Sequence, residues 1–355
     1  MSARAGAAVV LGLLLLTAGL PLQALELTQG KIKLTLAEGV GRFSISFLTA
    51  AGAWVPLFSK QDPRTTTVSV VLGNKIFRMG DTGSFIETAK KTPAGARFIW
   101  KANFLTVTES FSFVASAGAS AADGVRIDLT LKNTSRDDTT AGVRYLFDTY
   151  LGESGQVPFA TDTLKAIKRE TALSGGSLPR WWVSPRENDP EQLGLQCMVT
   201  EEGLTQPDRI VFANWKRLSD ASWGYDSSSV RDFSLLPYSK KDSAVAEYFD
   251  PRPLARGSQF TVTLVLGKFN PAGFPATSAM AAGTGDFAAS VEQSLAAGKD
   301  SPGSPTSLRA DLDTVDTILS RIDAGLAPGA DITESDLSLM ESAITDLKSR
   351  ASTYK

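Results

Sequence analysis

The stretch Gly124-Val-Arg-Ile-Asp-Leu-Thr-Leu-Lys-Asn133 decides the fold class of this chain. Its apolar residues alternate with polar ones, so every second side chain belongs to the same face. This period of two is typical of an antiparallel strand with one buried and one wet face. The segments 260–266 and 32–36 repeat the pattern. The sequence therefore predicts a protein built mainly from antiparallel sheets.

The period of two dominates from about Leu25 to Phe269. Gly73-Asn74 lies between two apolar runs and is typical of a two-residue hairpin turn. We predict more than ten strands, no helix, and one large antiparallel β-sandwich domain over 25–270. Further strands are predicted at 41–47, 67–72, 76–79, 96–104, 105–114, 142–150, 193–200, 209–215 and 244–249.

The sequence changes character after the predicted sandwich. Residues 271–285 are rich in Ala, Gly, Pro and Thr and predict a linker. Residues 286–355 predict helices, with a first helix at 286–297 and a heptad-patterned hairpin at 306–355. Thr333 and Asp336 resemble a capping box at the start of the last helix. The heptad positions are Leu308, Leu312, Val315, Leu319, Ile322 and Leu326, then Leu337, Met340, Ile344, Leu347, Ala351 and Tyr354.

Two interpretations of this small helical hairpin are open. In the first, its apolar seams pack on each other, on helix 286–297 or on the sandwich. In the second, a seam along Leu308–Tyr354 stays open for a partner helix or a second copy. Residues 300–355 hold five basic and ten acidic residues, whereas the rest of the chain is slightly basic. That asymmetry favours contact with a basic face of the body or with a basic partner.

The N-terminus predicts export. Residues 1–24 combine Arg4, the apolar run Ala7–Leu20 and the small residue Ala24, which is the pattern of a secretory signal peptide cleaved after Ala24. The alternative is a retained N-terminal anchor. We expect a periplasmic or extracellular protein with no membrane span after cleavage. Cys197 is the sole cysteine, so no internal disulfide can form, and we expect a buried inert thiol rather than a reactive one.

The chain of 355 residues contains no histidine. Histidine is the usual general base near neutral pH and the commonest metal ligand. The sequence also has no Cys/His cluster, phosphate loop or Gly-rich dinucleotide turn, so we expect no metal, no cofactor and no catalytic residue. The net charge of −2, without a basic run, predicts no binding to nucleic acid.

Four charged residues occupy unusual strand positions. Glu109 shares a face with apolar residues, which predicts either an ion pair with an arginine inside the protein or a face that opens as a cleft. Arg144 and Asp148 share one face but are too far apart to pair, so each needs a partner from a neighbouring element. Glu153 follows at the strand end, and Asp148 with Glu153 is a carboxylate pair of the kind that cuts glycosidic bonds.

Four of the six tryptophans lie between positions 181 and 223. Aromatic rings beside hydrogen-bonding groups are typical of sugar-stacking platforms and of protein-binding surfaces. The alternative is that the rings pack inside the sandwich or brace its long loops. The four candidates are Trp181, Trp182, Trp215 and Trp223.

Two resemblances add to this interpretation. In strand order, from Gly41–Ser46 through Trp54–Phe58 and Gly124–Thr134 to Phe260–Leu266, the β region resembles the supersandwich of galactose mutarotase-like domains. The segments 143–153, 212–218 and 242–248 resemble a group of uncharacterised exported bacterial proteins, of spirochaetal type, which implies no activity. Mutarotases use histidines with a glutamate, so the absence of histidine keeps epimerase chemistry from being carried over.

Three functions follow from the sequence. The leading one is a non-catalytic exported protein whose β-sandwich binds glycan or an envelope protein and whose helical tail serves docking or assembly. The second is a carbohydrate-active enzyme that uses only carboxylates, with Glu109, Asp148 or Glu153. The third is a structural component of an envelope or motility assembly.

Overall fold

A computed structural model describes residues 24–59, 65–186, 192–275, 291–292, 295–296, 304–325 and 332–351. Residues 1–23 of the predicted signal peptide, residues 276–285 of the predicted linker, and Phe287, Leu326 and Tyr354 lie outside these ranges. The strands are β1 Ala24–Gln29, β2 Ile32–Ala37, β3 Arg42–Leu48, β4 Trp54–Pro56, β5 Thr67–Leu72, β6 Lys75–Arg78, β7 Ile86–Thr92, β8 Gly95–Lys101, β9 Leu105–Val114, β10 Gly124–Asn133, β11 Thr139–Thr149, β12 Ala160–Thr161, β13 Thr171–Ser174, β14 Trp181–Pro185, β15 Gly194–Met198, β16 Arg209–Asn214, β17 Ser243–Leu254 and β18 Gln259–Lys268. The helices are α1 Trp215–Asp220, α2 Pro305–Gly325 and α3 Glu334–Ala351.

The strands form three sheets in which neighbouring strands run antiparallel. The largest has the order β12-β14-β15-β18-β10-β9-β8-β7, the second β13-β16-β17-β11-β5-β6, and the smallest β1-β2-β3-β4. The predicted hairpin turn at Gly73-Asn74 is confirmed, because Leu72 pairs with Lys75 across it. The predicted fold class, a large antiparallel β-sandwich followed by a small helical hairpin, is what the chain adopts.

The eight-stranded and six-stranded sheets face each other across one core. Phe147 of β11 lies 5.9 Å from Trp182 of β14 between ring centroids, and the Tyr145 hydroxyl of β11 donates to Glu109 of β9. The four-stranded sheet adds its own apolar face to the same cluster, with Phe43 of β3 4.9 Å from Phe111 of β9. Apolar burial over three sheets is the main stabilising term in such a fold.

One α-helix and a short 3₁₀ helix at Gly175–Ser177 interrupt the described β region, contrary to the prediction of no helix. Helix α1 begins after Asn214, whose side-chain oxygen accepts a hydrogen bond from the backbone N–H of Arg217 and so caps the first turn. Leu218 of α1 packs with Leu146 and Tyr248 on the outer face of the six-stranded sheet. This second covering layer explains why β11 is buried on both of its faces.

The C-terminal helices form a separate apolar cluster. Val291 and Leu295 pack with Ile318 of α2 and with Met340 and Ala343 of α3. The predicted capping box is present: the backbone N–H of Asp336 donates to the Thr333 hydroxyl at 3.1 Å, and the backbone N–H of Thr333 donates to the Asp336 carboxylate at 3.3 Å. None of the helices in the described part of the chain is long and apolar enough to cross a membrane.

Most of the predicted apolar seam of α2 does not face this cluster, although Ile322 of the seam packs against it. The exposed leucine stripe, as we call it, consists of Leu308, Leu312, Val315 and Leu319, which are between 39% and 56% exposed. The buried face of α2 is the adjacent one, made of Ser307, Asp311, Thr314, Ile318 and Arg321. Packing within the hairpin is therefore wrong for these four residues, and a partner helix or second copy at the seam stays a prediction.

Candidate functional site

The structure distributes the four candidate tryptophans over different parts of the sandwich. Trp182 is fully buried and donates its indole N–H to the Glu247 carboxylate at 2.7 Å. Trp181 packs edge-to-face on Phe269 at 5.3 Å between ring centroids. The rings therefore do not form one stacking platform, and Trp182 has no exposed surface to offer a ligand.

Trp215 and Trp223 help to cover the outer face of the six-stranded sheet. Trp215 donates its indole N–H to the carbonyl oxygen of Thr65 at 3.0 Å, and Trp223 lies edge-to-face on Tyr248. Arg144 is buried beneath this segment and donates to the carbonyl oxygens of Ala221 and Trp223, at 3.0 and 2.7 Å. The expectation that Arg144 finds its partner on a neighbouring element is confirmed, and its role here is to hold the segment that follows α1.

Glu109 lies in the middle of the core with no exposed surface. Its direct partner is the Tyr145 hydroxyl, which donates to it at 2.8 Å. Burial raises the pKa of Glu109 to about 8, although the hydrogen bond from Tyr145 and the charge of Arg42 act in the opposite direction. The cleft alternative for Glu109 is wrong, and the predicted ion pair is replaced by a hydrogen bond to a phenol with an arginine charge nearby.

The sequence did not indicate a second buried carboxyl group, that of Glu247 in β17. Glu247 pairs across the ladder with Tyr145, and burial raises its pKa to about 7. Cys197 is buried beside it, and burial together with the Glu247 charge raises the pKa of the thiol well above its usual value. The predicted burial of the thiol is confirmed, and its inertness stays a prediction that follows from the poor nucleophilicity of a protonated thiol without access to solvent.

Three carboxylates meet where β11 ends and β17 begins. Asp148, Glu153 and Asp242 each offer an oxygen atom, and these oxygens lie within 4.8 Å of one another. The pairing of β11 with β17 brings the acids together, and the Glu153 carboxylate accepts a hydrogen bond from the backbone N–H of Ser243 at 2.7 Å. Sequence reasoning found Asp148 and Glu153 but missed Asp242, because strand pairing between distant segments decides its position.

Burial raises the pKa values of all three groups in this carboxylate cluster. Burial raises the pKa of Asp148 to about 7, and the Asp242 charge adds to the effect. Burial likewise raises the pKa of Glu153 to about 7, with the charges of Asp148 and Asp242 acting in the same direction. The cluster can thus store and donate a proton near neutral pH. It offers three of the six to eight oxygen ligands that a calcium ion takes.

A groove of about 430 Å³ opens beside this end of the sandwich. It is lined by Trp54, Tyr150 and Arg186, together with Val55, Pro56, Leu151 and Ser154. The Tyr150 hydroxyl donates to the carbonyl oxygen of Pro56 at 2.7 Å, which fixes the phenol ring.

The groove and the carboxylate cluster share two chain segments. Tyr150 is the first residue after β11 and stands two positions beyond Asp148. The backbone N–H of Ser59, shortly after β4, donates to the Asp148 carbonyl oxygen at 3.1 Å. Sequence reasoning did not select Trp54 as a site residue. The signal that could have indicated Trp54 is its place in a strand of three residues after the loop 49–53. Loops and short edge strands carry function more often than central strands.

Comparisons with known proteins show no family for this chain. No protein-family model matches it, and no curated protein matches it. Among solved structures, a galactose mutarotase related enzyme from Lactobacillus acidophilus is 7% identical over 70% of this chain and 98% of its own, with a TM-score of 0.41. A protein from Synechocystis sp. PCC 6803 is 11% identical over 69% of this chain and 95% of its own, with a TM-score of 0.40.

A polysaccharide lyase is also similar in structure, at 12% identity and a TM-score of 0.41. The match covers 68% of this chain but 33% of the lyase, so this chain spans about a third of that protein. The neighbours thus include a mutarotase-related protein, in line with the resemblance drawn from strand order. At these identities and scores the likeness assigns no activity, substrate or site to this chain.

Proposed function

We propose that this protein is a non-catalytic glycan-binding module and that its binding site is the groove formed by Trp54, Tyr150 and Arg186. The observation that carries the proposal is the lining of the groove. Two aromatic residues supply apolar surface for the C–H faces of a sugar ring, and Arg186 adds a positively charged side chain to the wall. The volume of about 430 Å³ lies in the range of small-ligand sites, which is roughly 300–1,000 Å³.

The contacts around the groove support a preorganised site. Lys33 places its ammonium group 5.3 Å from the centroid of the Trp54 ring, so one side of the indole has a cation beside it. Tyr150 is held through its hydroxyl to Pro56. Rings that are fixed before binding lose little conformational entropy when a ligand arrives.

Replacing Trp54 by Ala tests this site. We expect binding of soluble oligosaccharides, screened as neutral, amino-sugar and uronic acid series, to weaken by about tenfold or more in isothermal titration calorimetry. The comparable stacking of a nucleic-acid base on an aromatic side chain contributes on the order of 1–3 kcal/mol. Trp181→Ala is the matched control, since that ring packs on Phe269 outside the groove lining. Equal affinity of the wild type and Trp54→Ala, or no binding by the wild type across all three series, contradicts the proposal.

A second candidate function is glycan cleavage by carboxylates alone, at Asp148, Glu153 and Asp242. The observation that favours it is the raised pKa of Asp148 and Glu153, both about 7, beside the groove. Retaining glycosidases hold two carboxyl groups about 5 Å apart, one of them protonated at working pH. Turnover that disappears in Glu153→Gln with retained binding supports cleavage. Binding without turnover in the wild type leaves the binding module as the function.

The cellular setting belongs to the same proposal. We infer export to the periplasm or the cell exterior from residues 1–24, and we infer that the helical tail docks the sandwich to an envelope partner through the exposed leucine stripe. Fractionation of native cells locates the protein. A pull-down from solubilised envelope with the full chain and with a chain ending at residue 303 tests the tail: recovery of the same proteins by both forms rules out docking through it.

A further inference from the structure

A second recess, of about 240 Å³, lies away from the groove residues. It forms where the turn between β1 and β2 meets the segment that joins β9 to β10 and the end of β18. Lys31 and Lys268 line it together with the buried ring of Phe47 and the small residues 118–121. Lys31 of the β1–β2 turn and Lys268 at the end of β18 thus line one concave site from different elements.

The backbone fixes the origin of both lysine side chains. The N–H of Lys31 donates to the carbonyl oxygen of Ala122 at 2.7 Å, and the N–H of Lys268 donates to the carbonyl oxygen of Asp123 at 2.9 Å. Two consecutive peptide groups therefore hold the two lysines side by side. Gly30 enables this contact: its φ is +56°, and a Cβ atom there would lie 2.5 Å from the backbone nitrogen of Ala122, so a side chain would push the turn away.

The ammonium groups of Lys31 and Lys268 are not used in ion pairs among the described residues, although the charge of Lys268 acts on Asp123 in the lining. Lys268 lies 5.8 Å from the centroid of the Phe47 ring. Asp123 is the carboxylate in the lining, but its two oxygens already accept hydrogen bonds from the Ser116 backbone N–H and the Ser116 hydroxyl, at 2.7 and 2.5 Å. Two cations and one hydrogen-bonded carboxylate leave the recess with a net positive charge.

We propose that this recess binds an oxyanion: a sulfate or phosphate ion, or such a group carried by a larger molecule. Each ammonium group carries three hydrogen-bond donors and attracts an anion as a compact positive charge. Phe47 is buried and adds an apolar wall to the recess, and a charge interaction beside apolar surface is screened less than one in open water. The volume is below the roughly 300 Å³ at which small-molecule sites begin, so the recess takes a charged group rather than a whole oligosaccharide. The site is independent of the glycan groove.

Titration calorimetry with the full chain tests the recess, using inorganic sulfate and inorganic phosphate at constant ionic strength set with chloride. We expect saturable binding that weakens by about tenfold or more in Lys31→Gln/Lys268→Gln, since the two substitutions remove the charged hydrogen-bond donors that the anion contacts. Lys132→Gln, an exposed lysine on β10, is the matched control and keeps wild-type affinity. Amide resonances of residues 118–121 shift on titration in the wild type and stay unchanged in the double variant.

Further arms distinguish the source of the anion. Glucose 6-sulfate and glucose 6-phosphate are compared with the free ions and with unmodified glucose. Tighter binding of the sugar esters than of the ions indicates a carried group, and equal binding indicates the ion itself. Absence of saturable binding to all four anions, or equal affinity in the wild type and the folded double variant, overturns the proposal. Loss of binding in Trp54→Ala leaves it intact, because that change tests the groove.

Discussion

Strand β10 and helix α2 each present a regular apolar pattern, yet the protein buries one and exposes the other. The apolar residues of β10, which are Val125, Ile127, Leu129 and Leu131, are completely buried. The exposed leucine stripe of α2 stays in contact with solvent. The difference lies in the number of faces that each element offers. A strand has two faces, so once a sandwich forms its apolar face must turn inward.

A helix can turn about its axis, and each residue step changes the direction by about 100°. In α2 the packed face is one residue step away from the leucine stripe. Two ion pairs between helices select it: Arg321 with Asp336 at 2.6 Å, and Arg350 with Asp311 at 2.8 Å. Val291 and Leu295 complete the packing on that side. Ion pairs with residues distant in sequence, and not the heptad pattern, therefore correspond to the face of α2 that packs.

The largest effect is expected from the buried face of β10. Leu129→Ala removes a fully buried side chain between two sheets, and we expect a loss of about 4 kcal/mol in the free energy of unfolding. Urea denaturation followed by tryptophan fluorescence measures it, because all six tryptophans lie between positions 54 and 223, outside the C-terminal helices. A loss below 1 kcal/mol would contradict the burial of this face.

The next effect concerns the ion pairs that orient α2. Arg321→Met leaves Asp336 buried beside a methionine, and we expect the helical cluster to lose about 3 kcal/mol, as when one partner of a buried pair is removed. Circular dichroism at 222 nm during thermal unfolding measures the helices, while tryptophan fluorescence stays unchanged. Lys348→Met on the exposed side of α3 is the control. Equal behaviour of the two variants would show that the ion pair does not orient α2.

The two regions are expected to respond to pH in opposite directions. Glu109 and Glu247 have pKa values raised from 4.5 to about 8 and about 7, mainly by burial, so the stability that they contribute is complete below pH 4.5 and is lost as the pH rises through 7 to 8. Burial alone would raise the pKa of Asp336, but hydrogen bonds from Arg321 and Thr333 outweigh it and lower this pKa below 3.8. Its contribution is present above pH 3.8 and is lost on further acidification.

Glu109→Gln sharpens this comparison. The amide keeps the shape of a protonated carboxyl group and cannot ionise, so the unfolding free energy of the variant should fall less steeply between pH 5 and about pH 8.5 than that of the wild type. Fluorescence-detected urea titrations at several pH values measure the slope. Glu202→Gln, at an exposed position, should retain the wild-type slope. An unchanged slope in Glu109→Gln would mean that the pKa of this carboxyl group is the same in the folded and the unfolded protein.

The smallest effect is expected in the exposed leucine stripe. Leu312→Ala removes a side chain that is 56% exposed, and we expect the unfolding free energy to change by no more than about 0.5 kcal/mol. The same residue type is thus compared at a buried strand position and an exposed helix position. Thermal unfolding at 222 nm measures the change. A loss comparable with that of Leu129→Ala would show that the stripe is covered in solution.

Sequence reasoning found the local elements and part of the candidate site. The hairpin at Gly73-Asn74, the capping box of Thr333 and Asp336, and the buried Cys197 depend on neighbouring residues or on composition, so a pattern could reveal them. The position of Asp242 beside Asp148 and Glu153 depends on how β17 pairs with β11. Likewise, the groove at Trp54 and Tyr150 joins segments about a hundred residues apart.

The sequence by itself determined that strands of period two form a sandwich, that helices follow it, and that chemistry dependent on histidine is absent. Each of these results needs information from within one segment or from composition. The tertiary structure alone decided which tryptophans are buried, which face of α2 packs, and which charged groups share a site. Those outcomes depend on contacts between distant segments, where burial of a charge or an aromatic ring is decided by the partner that happens to lie opposite.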